Sequence, residues 1–320
     1  MSGKNATETL SADAAGIARA AAILESGGLV AVPTETVYGL AARADRTDAV
    51  AKIYAAKGRP SFNPLIVHVR DAAHAERLGD LPTTSRVLAE SFWPAPLTLV
   101  VPKRADADLA PAVTAGLSTV ALRSPDHTAM QALLAACDFP LAAPSANRSG
   151  FVSPTTATHV AATLDGRIDL ILDAGFACSE GIESTIVAIR HDDTWAELRT
   201  GPVDLDRLHE HYWGTPYNRA KTSSGIEAPG QLASHYSPGK PVRLDAGNFS
   251  ADEFVIGFGG VAGDCTLSAT GDLNEAAARL YDCLHFAARS TRPVIAIAPI
   301  PHEGIGIAIN DRLRRAAAPS

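Results

Sequence analysis

Apolar and polar positions follow two different periods along the first two hundred residues. From residue 11 to residue 26 apolar side chains recur every three or four positions, which predicts an amphipathic helix. The same pattern predicts a helix over residues 47–57, ended by Gly58, and a shorter one over residues 130–136. Short apolar runs predict strands at residues 29–33, 64–69, 97–101, 119–122, 170–172 and 185–189. Strands and helices interleaved in this way predict an α/β sheet domain that ends near residue 202.

A second, smaller α/β domain is expected in the last eighty residues. Periodicity fades between residues 204 and 238, where glycine, proline and serine are mixed with aromatic residues that suit a linker lying against a surface. These aromatic residues are Tyr212, Trp213, Tyr217 and Tyr236. Beyond the linker, the pattern predicts strands at 242–244, 254–258 and 294–298 and a helix at 274–289. The predicted division is therefore a first domain (1–203), a linker (204–238) and a second domain (239–320).

The composition is that of a folded protein with two domains. The 320 residues are 46% hydrophobic and 20% charged, close to ordinary globular proteins, and at ~150 residues per domain two domains are expected. Lysine and arginine total 28 against 35 aspartate and glutamate, a net charge of −7. A uniformly basic surface for non-specific nucleic-acid binding is disfavoured, so any anion site must be local.

Cysteine spacing and hydropathy are typical of a cytoplasmic protein. The four cysteines lie far apart and form no C-x-x-C pair, which argues against a zinc ribbon and against a secreted disulfide framework. The apolar runs fall far short of the ~18 residues that a membrane span needs, and the N-terminus carries no apolar export signal. We therefore expect a cytoplasmic location and no membrane partner.

Familiar nucleotide and metal motifs are missing or weak. The chain contains no G-x-x-x-x-G-K-[ST] phosphate loop. Residues 257–262 match G-x-G-x-x-A after a predicted strand, but the next helix is predicted only near Asn274, too late to place its N-terminus on a pyrophosphate. A glycine-rich turn is the preferred interpretation. The histidine, cysteine and carboxylate spacings indicate no metal site.

A short cationic segment contrasts with the acidic chain around it. Residues 49–70 contain four basic residues and no acidic one. Lys52 is explained by the helix dipole, which favours cations near a helix C-terminus. In Lys57-Gly58-Arg59-Pro60, glycine and proline set a bend between two cations and direct both at one ligand. We expect Lys57 and Arg59 to bind an anion, the alternative being a solvated basic surface.

Polar clusters follow or precede several predicted strands, where open α/β sheets place their ligands. Each cluster alone is compatible with an ordinary turn. The clusters are PTETVYGL (33–40), KGRP with NPL (57–65), PSAN (144–147), GIESTIV (181–187), LRTGP (198–202) and PGQLASHYSP (229–238). Taken together and in this order, they resemble the YrdC-domain family, in the long two-domain form of the L-threonylcarbamoyladenylate synthases. The resemblance covers the first domain and the linker, and the second domain is more divergent.

The resemblance implies a fold and a reaction. The fold is a twisted mixed sheet with a concave ligand cleft, followed by a small Rossmann-like domain. The reaction condenses L-threonine, bicarbonate or CO₂, and ATP, accompanied by Mg²⁺, to L-threonylcarbamoyl-AMP and pyrophosphate. Partner transferase proteins then modify an adenosine of tRNA with the threonylcarbamoyl group, and a weak contact with tRNA is a further implication. The chemistry needs no protein nucleophile, which agrees with a site of cations, amides and hydroxyls.

The resemblance also implies which residues meet each substrate. Lys57 and Arg59 are the implied catalytic residues, because they hold the ATP phosphates. The implied ATP-binding set is Lys57, Arg59, Asn63, Thr119, Ser145, Asn147, Ser153, Arg199 and Tyr236. The implied threonine-binding set is Thr36, His68, Arg123, the backbone of Ala143, and Ser184. Because the carbamate and the mixed anhydride hydrolyse readily, the linker around residues 229–238 is expected to close over the cleft.

An RNA-binding module without adenylate-forming activity is the main alternative. Cations on a concave α/β surface also attract phosphate backbones. The net charge of −7 and the lack of a basic stripe interleaved with aromatic residues disfavour it. A hydrolase or a carbamoyl transferase would need a nucleophile or a metal site that the sequence does not indicate.

Overall fold

Two β-sheets organise the chain, in a computed structural model that describes residues 6–205, 208, 227–231 and 235–319. The first sheet consists of β1 (Glu8–Ser11), β2 (Val30–Val32), β3 (Gly39–Arg43), β4 (Ile66–His68), β5 (Leu97–Pro102), β6 (Thr119–Arg123), β7 (Leu141–Ala142), β8 (Leu170–Asp173), β9 (Thr185–Ile189) and β10 (Trp195–Arg199). Its helices are α1 (Ala14–Glu25), α2 (Thr47–Lys57), α3 (Ala72–Ala75), α4 (Thr83–Phe92), α5 (Pro111–Thr114), α6 (Thr128–Ala136) and α7 (Ala157–Leu164).

The first sheet mixes parallel and antiparallel strands, in the order β1-β8-β2-β3-β7-β4-β6-β5-β9-β10. Near its middle, β4 pairs parallel with β6 and antiparallel with β7. Further along, β5 pairs antiparallel with β6 and parallel with β9. The prediction of an α/β domain with a mixed sheet is confirmed.

Both faces of the first sheet are covered by separate apolar cores. Successive strand residues point to opposite faces, so Ala31 packs in one core while Val30 and Val32 pack in the other. Helix α2 contributes to the first core through Ile53, and α1 contributes to the second through Leu24. A sheet buried on both sides leaves its strand ends as the places where polar residues can gather.

Helix α2 has the predicted bounds and ends as predicted. Its C-cap is Gly58, in the left-handed region with φ 61°, where glycine has no steric cost. The chain changes direction at this cap, between Lys57, the last helical residue, and Arg59. In the segment that follows, Arg59 donates to the carbonyl oxygens of Asn63 and Pro64.

The second domain is a small parallel sheet with two long helices. It contains β11 (Val242–Arg243), β12 (Glu253–Gly257), β13 (Cys265–Thr266), β14 (Val294–Ile297), α8 (Leu273–Arg289) and α9 (Gly306–Ala317). Its strand order is β11-β14-β12-β13, and the paired strands are parallel. The predicted small second α/β domain is confirmed. Strand β13 lies between the glycine-rich turn at 257–262 and α8, so that turn does not lead directly into a helix.

Two of the four cysteines are paired. Cys265 in β13 and Cys283 in α8, which are 18 residues apart, form a disulfide with 5.9 Å between their Cα atoms. Cys137 and Cys178 are free and buried. The wide spacing of the cysteines did not indicate this pair, because only the packing of α8 against β13 brings the two residues together.

The second domain packs directly on the first. Val37, Val152 and Ile182 of the first domain belong to the same apolar core as residues of α8 and α9. The approach is closest at Gly181, whose φ is 69° and where an added Cβ would lie 2.4 Å from the Cα of Ala278. Only glycine fits there, so the segment GIESTIV is held against α8.

None of the helices in the described ranges combines the length and the apolar character that crossing a membrane requires. Most of the predicted linker, including Tyr212, Trp213 and Tyr217, lies outside the described residues. Residues 227–231 and 235–238 of the linker are described and lie against the first domain.

Candidate active site

The polar segments found in the sequence converge at one edge of the first sheet. His68 ends β4 and Arg123 ends β6, and the two are register partners on adjacent parallel strands. Ala143 directly follows β7, and Glu183 and Ser184 directly precede β9. Because these strands are neighbours, segments that are far apart in sequence share one small volume.

A cavity of about 50 Å³ lies at this edge. Its walls are formed by Val37, Arg59, Ile66, His68, Arg123, Ala143, Pro144, Ser145, Glu183, Arg199, Pro229, Gly230, His235 and Tyr236. Seven of these were predicted as substrate-binding residues: Arg59, His68, Ala143, Ser145, Arg123, Arg199 and Tyr236. Four wall residues, Pro229, Gly230, His235 and Tyr236, come from the linker, so the linker forms one wall of the cavity.

One side of the cavity is built around the buried guanidinium of Arg123. Its Nη2 donates to Glu35 Oε1 at 2.7 Å and to Thr36 Oγ1 at 2.9 Å. Thr34 holds this turn in shape, because its hydroxyl donates to the carbonyl oxygen of Val37 at 2.7 Å. Glu35 and Arg123 are about one-twentieth exposed (5% and 4%), so their ion pair is almost completely desolvated.

His68 adds a neutral imidazole beside Arg123. Burial, together with the positive charge of Arg123, lowers the pKa of His68 to about 3. The ring is therefore uncharged at neutral pH and offers one donor and one acceptor nitrogen. Its Nδ1 has no hydrogen-bond partner, so it is free to meet a polar ligand.

Five buried polar atoms without a hydrogen-bond partner belong to residues that line the cavity or contact its wall. They are Glu35 Oε2, Asn63 Oδ1, His68 Nδ1, Arg123 Nε and His235 Nδ1. Burying such an atom without a hydrogen bond costs about 1–3 kcal/mol, so native structures contain few of them. Five within the segments that form one site indicate a place where a polar ligand supplies the missing partners.

The other side of the cavity is cationic. Arg59 lines it and stays charged at neutral pH, since burial lowers its pKa only to about 10. Arg199 lines it as well, and its Nη1 donates to the carbonyl oxygen of Pro229 in the linker at 3.4 Å. Two guanidinium groups around one small space favour an anionic ligand.

Lys57 lies behind the cavity wall. Its ammonium donates to the carbonyl oxygens of Ser145 at 2.6 Å and of Asn147 at 2.5 Å. Burial and the charge of Arg59 lower the pKa of Lys57 well below its ordinary value. In this arrangement Lys57 holds the PSAN turn in place, and Ser145 of that turn lines the cavity.

The remaining predicted residues fall into two groups. Five contact residues of the cavity wall: Thr36 with Arg123, Asn63 with Arg59, Asn147 with Ser145, Ser153 with Glu183, and Ser184 with Arg199. Thr119 is the exception. It starts β6, four residues before Arg123, which is about 13 Å along a strand. The role of each of these residues toward a substrate stays a prediction.

Two acidic residues of the site were not predicted. Glu35 lies within PTETVYGL and Glu183 within GIESTIV, and both are buried next to arginine side chains. Burial alone would raise the pKa of Glu183, but the charges of Arg312 and Arg199 and a hydrogen bond from Ser153 outweigh it and hold the pKa at about 2. The available signal was that these two polar segments each contain one carboxylate.

The ionised state of Glu183 makes acid stability a test of this geometry. Its pKa lies near 2 in the folded protein against an ordinary 4.5, so its contribution is complete above pH 4.5 and is lost as pH falls toward 2. That contribution is on the order of 3 kcal/mol. Because Glu183 is still mostly ionised at pH 3 in the folded protein, we expect Glu183→Gln to reduce by about 2 kcal/mol the difference in unfolding free energy between pH 6 and pH 3 measured by urea denaturation. An unchanged pH dependence in the variant would contradict the assignment.

Comparison with known proteins identifies the family. The model of the Sua5, YciO and YrdC family, described as telomere recombination, matches residues 22–201. The chain belongs to the Sua5/YrdC family. A second family model, described as threonylcarbamoyl-AMP synthase, C-terminal domain, matches residues 203–318. The family resemblance inferred from the six sequence segments is thereby confirmed.

Two relatives and one solved structure extend over nearly the whole chain. The threonylcarbamoyl-AMP synthase of Bacillus subtilis (strain 168) is 40% identical over 333 residues, covering 97% of this chain and 95% of its own. That of Pyrococcus abyssi (strain GE5 / Orsay) is 36% identical over 328 residues, covering 93% of each. The structure of P. abyssi Sua5 complexed with L-threonine matches this Sua5/YrdC member with a TM-score of 0.86 and 34% identity, covering 97% of this chain and 96% of that one.

A larger surface depression lies elsewhere on this Sua5/YrdC member. It has a volume of about 620 Å³ and is lined by charged residues that include Arg43, Asp45 and Asp138. None of the predicted substrate-binding residues lines it. The guanidinium of Arg43 is already paired with Asp45 and stacked on the ring of Phe139, so we place the active site at the smaller cavity.

Proposed function

We propose that this chain is a threonylcarbamoyl-AMP synthase, which condenses L-threonine, bicarbonate or CO₂, and ATP to L-threonylcarbamoyl-AMP and pyrophosphate. One observation carries the proposal: a buried guanidinium suited to a carboxylate, that of Arg123, faces a cavity that two further guanidinium groups, of Arg59 and Arg199, make suitable for phosphates. The chain's similarity to synthases over almost its whole length supports the same assignment.

L-threonine is assigned to the side of the cavity around Arg123. The guanidinium binds the carboxylate of threonine, and the hydroxyls of Thr36 and Ser184 meet its hydroxyl or its amine. His68 and the backbone of Ala143 complete the predicted threonine site. A site that hydrogen-bonds the threonine hydroxyl rejects valine strongly, whereas it distinguishes serine only through a methyl contact.

ATP is assigned to the cationic side. Arg59 contacts the phosphates, Lys57 holds the turn that presents Ser145 and Asn147, and Arg199 adds a second guanidinium. The remaining residues of this predicted set are Asn63, Thr119, Ser153 and Tyr236. The threonine amine attacks CO₂ and loses a proton, giving a carbamate. One carbamate oxygen then attacks the α-phosphorus, and pyrophosphate leaves with the electrons of the broken phosphoanhydride bond.

Catalysis rests on positioning and charge neutralisation. Transfer at phosphorus depends chiefly on aligning the attacking oxygen and on stabilising the charge that develops on the phosphates. Fixed, buried guanidinium groups serve both needs, because their fields are less screened there than in bulk water.

Mg²⁺ is proposed to arrive with ATP. Among the described residues, no group of three or more histidine, cysteine or acidic side chains is arranged to hold a metal ion. The two carboxylates of the site, Glu35 and Glu183, are paired with guanidinium groups. Mg²⁺ often keeps water and substrate phosphates as its ligands, so phosphate oxygens are the expected ligands here.

The linker is proposed to act as a lid. The cavity of about 50 Å³ is far smaller than the ~300–1,000 Å³ of pockets that hold small molecules. Tyr236, His235, Pro229 and Gly230 of the linker form one of its walls. The linker must therefore move outward to admit ATP, and its return excludes water from the carbamate and the mixed anhydride.

The decisive experiment measures pyrophosphate release from ATP with and without L-threonine and bicarbonate. We expect release that requires all three substrates. RNA binding without such release would favour an RNA-binding module instead. Transfer of the product to tRNA by partner proteins, a weak contact with tRNA and a cytoplasmic location all stay predictions.

Arg59→Ala tests the phosphate assignment. Losing a charge-assisted hydrogen bond costs about 1.5–3 kcal/mol, so the KM for ATP is expected to rise about 10- to 100-fold. Lys52→Ala, which removes a cation from the surface of the same segment, is the matched control and should leave the KM unchanged. An unaltered KM for ATP in the Arg59 variant would contradict its assignment.

A further inference from the structure

A residue of the second domain contacts Glu183, one of the residues that line the cavity. Arg312, in α9, donates from Nε to Glu183 Oε2 at 3.1 Å, and its guanidinium is completely buried. Tyr281, in α8, donates its hydroxyl to the same oxygen at 2.8 Å. Ser153 of the first domain donates to Glu183 Oε1 at 2.7 Å. Two buried hydrogen bonds to Glu183 therefore join two helices of the second domain to the first domain, and the bond from Ser153 fixes Glu183 within the first domain.

The position of Glu183 affects the threonine side of the site through the next residue in the chain. The next residue, Ser184, shares a hydrogen bond with Thr98 at 2.7 Å and accepts one from Arg199 Nη2 at 3.0 Å. Arg199 Nε also donates to the carbonyl oxygen of Ser184 at 2.9 Å. A shift of the Glu183 backbone would move Ser184 out of this set of bonds.

Arg312 and Tyr281 also contact Tyr236, on the nucleotide side of the site. The ring of Tyr236 stacks on that of Tyr281, with 5.5 Å between centroids, and the Arg312 guanidinium lies 5.9 Å from the centroid of Tyr236. Tyr236 is 1% exposed and holds a positive φ of 63°. A non-glycine residue keeps this backbone conformation only where surrounding contacts impose it, and Arg312 and Tyr281 are among those contacts.

We propose that Arg312 and Tyr281 are positioning residues of the active site. Through Glu183 and Tyr236, they set the geometry of the threonine side and the nucleotide side together. The proposal rests on the substrate assignments made above for Ser184 and Tyr236. Removing Arg312 leaves the buried carboxylate of Glu183 without its main counter-charge, and the unpaired group moves toward water or takes up a proton. Either response displaces Ser184 and loosens Tyr236.

The experiment compares the full-length chain with five variants, of which three are the main ones. Arg312→Met removes the charge and keeps the length of the side chain. Tyr281→Phe removes only one hydroxyl and keeps the packing, so it preserves the fold if the first variant does not. Arg314→Met, on the exposed side of the same helix, is the matched control. Circular dichroism establishes that each variant is folded, and calorimetry gives the Kd for threonine and, separately, for ATP.

We expect Arg312→Met to weaken threonine and ATP binding by about 10- to 100-fold each, and Tyr281→Phe by about 3- to 10-fold. Arg312→Lys is expected to recover part of the loss, since it restores the positive charge without the planar guanidinium and its several donors. The double variant Glu183→Gln/Arg312→Met should bind no more weakly than Arg312→Met alone, because the two residues act as one unit. Arg314→Met should match the unmodified chain.

Folded Arg312→Met and Tyr281→Phe variants with unchanged Kd values for both substrates would overturn the proposal. So would fully additive losses in the double variant. Because binding is measured without turnover, these outcomes remain distinct from a failure of the proposed reaction, which would appear as absent pyrophosphate release from the unmodified chain that still binds threonine.

Discussion

Replacing Arg123 by methionine is expected to lower kcat/KM for threonine by about 10³-fold, mainly through KM. The proposed contact between its guanidinium and the threonine carboxylate consists of charge-assisted hydrogen bonds in a buried site, each worth about 1.5–3 kcal/mol. Two such bonds give a loss of about 4 kcal/mol, which corresponds to about 10³-fold. The measurement is pyrophosphate release as a function of threonine concentration at saturating ATP and bicarbonate.

A double variant separates threonine recognition from stability. Arg123→Met alone leaves Glu35 buried without its partner, which by itself destabilises the fold. Glu35→Gln/Arg123→Met removes both charges and is expected to be folded yet equally unable to bind threonine. Arg123→Lys should fall between, because an ammonium keeps the charge and loses the bidentate geometry. A folded double variant whose KM for threonine stays within about threefold of the original would show that Arg123 does not bind the carboxylate.

Removing residues 204–320 is expected to lower threonine-dependent turnover by at least about 100-fold, an effect that even small misplacement of reacting groups can produce. The deletion takes away the wall of the cavity formed by His235 and Tyr236. It also removes Arg312, the counter-charge of Glu183. With the cavity open, water reaches the carbamate and the mixed anhydride.

The product distribution distinguishes loss of the lid from loss of the fold. The two cores that cover the sheet consist almost entirely of residues before 204, so circular dichroism of the truncated chain is expected to show a folded α/β domain. An open site should release AMP from hydrolysed intermediate in excess of intact threonylcarbamoyl-AMP. Turnover equal to that of the full chain would show that the linker and the second domain are not needed to close the site.

Long periodic elements, and the residues that end them, were predictable from local sequence. Helix α2 has the predicted bounds because its apolar face repeats regularly and Gly58 supplies the left-handed cap. The strands around His68 and Arg123 were predicted from their apolar runs. The disposition of these strands in one mixed sheet was implied by the family resemblance and is confirmed.

Short or compositionally weak elements were missed. Strand β3 is GLAAR, rich in small residues with little preference for strands, and β7 has only two residues, too few to show a period. Helix α9 was not predicted either. Each of these elements is stabilised by its neighbours in the fold, so local preference alone does not reveal it.

The residues of the site were likewise predictable only in part. Arg59 was predicted from the segment that carries it, whereas His68 and Arg123 were implied only by the family resemblance. The structure brings all three to one cavity. Arg312 carried no signal, because its partner Glu183 is 129 residues away in sequence. Its neighbours in sequence are those of an ordinary surface helix.

The sequence by itself determined the family, the α/β class and the chemical types of the substrate-binding groups, since short segments with fixed residue types carry that information locally. Tertiary structure alone decided that the linker forms one wall of the cavity, that Lys57 lies behind its wall, and that Arg312 of the second domain is a counter-charge of Glu183. These features depend on distances between segments that are remote along the chain. Such distances are set by the packing of two sheets and their helices, which no local pattern encodes.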